Sequence, residues 1–174
     1  MVIRPATISD APAMLAIYAP IVRDTAISFE FDQPGLADFE ARISKYSAGW
    51  AWLVAELSSE VLGYAYGSPH RERAAYRWSI ETSAYVALGA RERGVGTRLY
   101  QAPLAVLGDR GYCNAYAGVT LPNAASVALH RSVGFSPIGT FPAMGWKFDK
   151  WHDVAWFYRC LRDLPFEEEA KGEA

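Results

Sequence analysis

Cysteine is nearly absent from this 174-residue chain: Cys113 and Cys160 are the only two. Neither has a closely spaced partner, and each falls inside a strand-like segment. They read as reduced, buried, small hydrophobes, so no disulfide framework is expected. Histidine is scarce too, and His70, His130 and His152 do not pair with a cysteine at zinc spacing, so no metal is expected. Positive charge is not in excess. Lys and Arg number 17 against 19 Asp and Glu, a net charge of -2, which offers nucleic acid no basic surface. No long apolar run follows Met1–Pro5. The expectation is a cytoplasmic protein without signal peptide or membrane anchor. Internal repeats and low-complexity blocks are missing as well.

What is present suffices for one folded domain. Hydrophobic residues make up 51% and charged residues 21%, a balance that excludes disorder and fits a single sizeable core. The expected domain spans residues 1–164. Residues 165–174, acidic and small, read as a frayed tail. Val2–Arg4 reads as a strand, and Ser9-Asp10 as the cap of a helix carrying Met14, Leu15 and Tyr18. Leu36–Ser47 sets Phe39, Ile43 and Tyr46 at helical spacing. Trp50–Leu57 and Val61–Gly67 flank Ser58-Ser59-Glu60 as a hairpin. Then come a strand (Tyr76–Leu88), a helix (Gly94–Arg110, with Pro103 inside), a strand (Tyr112–Val119), a helix (Asn123–Val133) and two strands (Phe135–Thr140 and Val154–Leu161). This order predicts a mixed α/β sheet with helices on its faces. The stretch Phe141–Phe148, apolar but broken by Pro142 and Gly145, reads as a loop or an edge in need of a partner.

The strongest local signal joins Tyr85-Val86 to Arg91-Glu92-Arg93-Gly94-Val95-Gly96-Thr97 and the helix behind it. Glycines let a backbone approach an anion closely, and the free N–H groups of a helix start point at its oxygens. A plain strand-to-helix turn would look the same. The loop is neither Walker A nor the dinucleotide fingerprint, because no Gly-Lys-Ser/Thr follows and Leu99 stands at the third glycine position.

Arg91-x-x-Gly94-x-Gly96 resembles the cofactor loop of the GNAT N-acetyltransferase superfamily, and Asn123 to Phe135 resembles its second cofactor helix. Trp151-His152-Asp153-Val154 and Tyr76-x-Trp78-x-x-Glu81-x-x-x-Tyr85-Val86 are similar to the phosphinothricin acetyltransferase branch, which includes methionine sulfoximine and sulfone acetyltransferases. The likeness runs from about Ile3 to Leu161. It implies the acyl-CoA N-acyltransferase fold, with a mixed twisted sheet, splayed strands and helices on both faces. It implies acetyl-CoA as cosubstrate, an amino-acid-like acceptor, direct transfer in a ternary complex, and a homodimer.

Residue by residue, the resemblance puts the CoA pyrophosphate on Arg91 to Thr97 and the pantetheine arm on the backbone of Ala84, Tyr85 and Val86. Asn123 and Ser126 join the cofactor site, although asparagine is also a favoured helix N-cap. Glu81 is implied as general base. Alternation puts it on one face with Tyr85, and an exposed face or a salt bridge would also explain it. His130 is implied as the acid for the departing thiolate, against a packed histidine at a helix C-terminus. Arg71, Arg73 and Tyr76 are implied to grip acidic groups of the acceptor, against a solvated loop. Phe29 is implied as an acceptor wall, against a core aromatic. Alternatives left open are another amine, such as a polyamine, an aminoglycoside or a peptide N-terminus, and a non-catalytic CoA-binding module.

Overall fold

The computed structural model describes residues 1–91 and 93–164. Within them the chain runs β1 (Val2–Pro5), α1 (Ala11–Asp24), α2 (Leu36–Gly49), β2 (Trp52–Leu57), β3 (Glu60–Pro69), β4 (Ser79–Val86), α3 (Val95–Asp109), β5 (Asn114–Thr120), α4 (Ala124–Ser132), β6 (Ser136–Lys147) and β7 (Lys150–Cys160). The predicted mixed α/β architecture is present. The expected acidic tail, 165–174, lies outside the described residues.

The seven strands described form one sheet in the order β1-β2-β3-β4-β5-β7-β6. All neighbours are antiparallel except β4 and β5, which are parallel. One face carries α1 and α2, whose Met14, Tyr18, Val22, Phe39 and Ile43 pack on Trp52, Val54 and Tyr64. The other carries α3, whose Leu99, Tyr100, Leu104 and Leu107 pack on Ala65, Ile80, Ala115 and Phe157. These apolar stripes at helical spacing are why the segments form helices. Burial of each large side chain contributes roughly 1.5–3 kcal/mol.

Local chemistry moves several boundaries. Ala74–Tyr76 forms a 3-10 turn, so β4 starts at Ser79 rather than Tyr76. α3 runs on through the buried Pro103. β6 continues through the stretch expected to be a loop or an edge and ends at Lys147, so that the stretch is the edge strand of the sheet. An edge tolerates Pro142, because the missing N–H can face away from the partner strand. The register shift between Phe141 and Gly145 absorbs the irregularity. Both thiols are free, but Cys160, at the end of β7, is exposed, which corrects the expectation that both cysteines are buried.

One ion-pair cluster ties the N-terminus together. Arg4 on β1 holds Asp10 with two bonds of 2.8 and 2.7 Å and Glu56 of β2 with a third of 2.8 Å. The guanidinium holds the Asp10 carboxyl at about 2, below its usual range. A depressed carboxyl contributes stability above its unfolded value and loses it as pH falls toward its folded one. Asp10→Asn should therefore cost about 1–2 kcal/mol at pH 7, allowing for solvent screening of the half-exposed Arg4. The difference should shrink between about pH 4 and 2. Urea unfolding of both proteins across that range measures it.

Candidate active site

Parallel pairing of β4 with β5 covers only Ser79–Glu81 opposite Asn114–Tyr116. Beyond Glu81, β4 stays paired with β3 and β5 with β7, but the two are no longer paired with each other. A gap opens in mid-sheet, and the candidate site gathers around its start.

On the α1/α2 side, register fixes the arrangement. Ser68, Tyr66 and Tyr64 of β3 stand opposite Glu81, Ser83 and Tyr85 of β4. Directly opposed residues share a face, so Glu81 and Tyr85 lie together as alternation predicts. Burial pushes the Glu81 carboxyl up, while the Arg71 guanidinium pulls it back. A side chain not in the predicted set joins it. His70, two residues past Ser68, brings Nδ1 to 3.6 Å from Glu81 Oε2. Its ring stacks on Tyr116, 4.7 Å away. Burial pushes this imidazole down, and Arg71 lowers it further, which favours the neutral ring. In the sequence His70 is hidden at the head of a charge run. The signal that finds it is alternation through 64, 66, 68 and 70 beside a strand bearing a mid-strand carboxylate.

Arg71, Arg73 and Tyr76 are all exposed and line one cleft. With His70, Ser68 and Lys45 they line an open cleft of about 670 Å³. Tyr46 and Ser68 also line an adjoining cavity of about 250 Å³ that reaches Glu30, Arg42 and Trp52. Phe29 is in neither. Its ring fills the space left by the missing side chain of Gly145, where any Cβ would overlap it. The ring lies 6.2 Å from that of His152.

On the α3/α4 side lie the predicted cofactor residues. Gly94 caps α3 with φ 73°, a left-handed conformation that suits glycine, and a Cβ there would face open space. Arg91 and Arg93 are exposed beside it, Val95 is buried, and Thr97 Oγ1 lies 3.4 Å from Ser132 Oγ. Glu92 lies outside the described residues. Gly96 has an ordinary φ, and a Cβ there would make only normal van der Waals contact, with Leu129 of α4 at 3.5 Å and Val86 at 3.6 Å. Ala84 and Val86 pack on the core of this face, while Tyr85 faces the other. Asn123 is the N-cap of α4, accepting from the Ser126 N–H at 3.1 Å.

His130 is buried in the same layer, stacked on Phe157 at 5.4 Å. Both ring nitrogens are engaged. Nδ1 lies 2.7 Å from the Ser126 carbonyl, which only accepts, so Nδ1 carries the proton. Nε2 then accepts from the Tyr100 hydroxyl at 3.0 Å, and Tyr100 meets Thr82 Oγ1 at 2.8 Å. Burial pushes the imidazole down and the Tyr100 phenol up, so both are held neutral. Thr82 is adjacent to Glu81, so side-chain alternation puts the two on opposite faces of β4. The structure therefore brings Glu81, Arg71, Arg73 and Tyr76 to one side and His130 to the other. Among the described residues, no group of three His, Cys, Asp or Glu side chains is arranged to hold a metal. No helix described is long and apolar enough to cross a membrane.

The Acetyltransferase (GNAT) domain family model matches residues 3–156. A phosphinothricin N-acetyltransferase of Streptomyces coelicolor is 34% identical over 91% of this chain and 95% of its own length. An L-methionine sulfoximine/L-methionine sulfone acetyltransferase of Pseudomonas paraeruginosa is 36% identical over 87% of this chain and 90% of its own. The crystal structure of a phosphinothricin acetyltransferase from Sinorhizobium meliloti in complex with AcCoA is 30% identical. It covers 95% of this chain and 93% of its own, with a TM-score of 0.90. A sheet parted between β4 and β5, a helix started by a glycine-capped loop and this extent of similarity lead to one conclusion: the chain belongs to the GNAT acetyltransferase family.

Proposed function

We propose that the protein transfers acetyl from acetyl-CoA to the α-amino group of a small amino acid of the phosphinothricin, methionine sulfoximine or methionine sulfone type, by direct attack in a ternary complex. The observation that carries this reading is the Glu81 carboxyl. Burial raises it, a neutral imidazole lies beside it, and it sits where β4 and β5 part. It adjoins a cleft that presents Arg71 and Arg73.

The chemistry follows from these groups. An ammonium has no lone pair and must lose a proton before it can attack a thioester. A free α-amino group titrates near 8, so a base of modest strength suffices. Glu81, with His70 beside it, takes that proton. Arg71 and Arg73 hold the acceptor's carboxylate or other anionic group in two-pronged fashion, with Tyr76 at the cleft wall. On the other face, the backbone of the Arg91–Thr97 loop and the start of α3 receive the pyrophosphate. The unpaired side of Ala84, Tyr85 and Val86 receives the pantetheine, with Asn123 and Ser126 alongside. The amine attacks the thioester carbonyl through the gap, and a thiolate of pKa about 8.5 leaves without needing a strong acid. His130 then acts by holding Tyr100 and Thr82 at the mouth of the gap. Phe29 acts through the loop it anchors. We further propose a homodimer formed through the edge strand β6 and the hairpin it shares with β7. Phe141, Met144, Trp146, Phe148 and Trp151 are all exposed there.

Glu81→Gln should lower kcat by about 10²–10⁴ with little change in acetyl-CoA affinity. Steady-state kinetics beside calorimetric CoA binding separates the two.

Arg71→Ala should raise KM for amino acids and spare acetyl-CoA. It should also move the acid limb of the kcat/KM profile to higher pH. Its charge now favours ionised Glu81 and disfavours protonated His70, so its removal raises both groups. A limb that stays in place, or moves down, counts against this pair as the base.

Light scattering tests assembly. A mass near twice 19.2 kDa is expected, and one near 19.2 kDa rules the dimer out.

A further inference from the structure

Lys147 is the last residue of β6, far from Glu81 in sequence, yet its side chain is buried at 2% exposure. A buried ammonium is costly unless its protons find acceptors. Here Nζ donates to the Val22 carbonyl at 2.6 Å and to the Ser28 carbonyl at 2.8 Å. Val22 lies in the last turn of α1, where carbonyls lack helical partners and a cation meets the negative end of the helix dipole. Ser28 belongs to the connection between α1 and α2.

That connection is gripped from both sides. Ser28 Oγ meets the Tyr18 hydroxyl at 2.8 Å, and the same hydroxyl donates to Glu30 at 2.9 Å. Arg42 of α2 holds Glu30 through bonds of 2.7 and 3.1 Å. The Lys147 charge lowers the Glu30 carboxyl as well, adding to Arg42. From the β6–β7 side, Gly145 leaves the socket for the Phe29 ring, and His152 Nε2 lies 2.9 Å from the Lys147 carbonyl across the hairpin. A carbonyl only accepts, so Nε2 is the donor. Glu30 and Arg42, set by this clamp, line the cavity next to the cleft of Arg71 and Arg73.

We infer that Lys147 is a positioning residue for acceptor binding. The ammonium fastens the α1–α2 connection to the β6–β7 hairpin and so holds Glu30 and Arg42 in the wall of the acceptor cavity. The inference rests on the acceptor site proposed above. It places no group of Lys147 on the reacting atoms, and it predicts an effect on the acceptor without one on acetyl-CoA.

The test compares Lys147→Met, which keeps the stem and removes the ammonium, with Lys147→Arg, which keeps the donors. In Lys147→Met, KM for the amino acid should rise about tenfold or more, as expected for lost bonds to a charged group. Saturating kcat and KM for acetyl-CoA should stay within about threefold. Lys147→Arg should recover most of the acceptor KM. Independently of activity, hydrogen exchange at residues 26–34 should accelerate in Lys147→Met while β3 and β4 stay protected. Should that variant not fold, Gly145→Ala, which evicts the Phe29 ring and leaves the charge, must give the same two signatures. An unchanged acceptor KM, a uniform loss across both substrates and kcat, or unaltered exchange in that segment overturns the inference. If the wild-type protein acetylates no amino acid, the proposed acceptor is wrong, and the clamp stands or falls on the exchange data.

Discussion

Three rungs, Ser79–Glu81 with Asn114–Tyr116, make up the whole parallel ladder between the two halves of the sheet. The rest of the molecule is arranged around where that pairing stops. Ending a ladder inside a sheet leaves backbone donors and acceptors without strand partners, and such groups demand others. The side chains at the break respond on both faces. Thr82 reaches the Tyr116 carbonyl at 3.3 Å and the Tyr100 hydroxyl at 2.8 Å, and Tyr100 passes the chain of bonds to His130 and on to the Ser126 carbonyl. Thr82 has one proton for these two neighbours, and the run of bonds through Tyr100 and His130 ties α3 and α4 together beside the opening.

The alternation of β4 then divides the labour. Residues 81, 83 and 85 look toward α1 and α2, where stacked aromatic rings run from Tyr46 through Trp52 to Tyr66 and Tyr64. Residues 82, 84 and 86 look toward α3, with its glycine-capped start. Each face rests on its own hydrophobic cluster. Burial next to Arg71 sets the proton affinities of Glu81 and His70, so the electrostatics of the site follow from its position in the sheet.

The sites that were legible were those whose signal is local. The glycine loop, the Asn123 cap and the mid-strand Glu81 each violate or satisfy a rule within a few residues, and each lies where that rule put it. His70 was not legible as part of the site. Its neighbours in sequence are charges, while its neighbours in space, Glu81 and Tyr116, belong to two other strands. Phe29 was placed in the right loop, but its partner is Gly145, more than a hundred residues away. Lys147 carries no local signal in the sequence, and only the fold turns it inward.

The sequence alone determined the mixed α/β class, the order of elements and the glycine loop that starts α3, because hydrophobic period, caps and glycines act over one or two turns of chain. It also carried enough ordered motifs to resemble one superfamily. Tertiary structure decided where β4 leaves β5, which face Glu81 and His130 occupy, that β6 runs on as an edge strand through Pro142, and which far-off groups close around the α1–α2 connection. Those outcomes depend on strand register and on contacts between residues distant in sequence. A one-residue change in register would send every side chain of a strand to the opposite face without altering a letter of the local pattern.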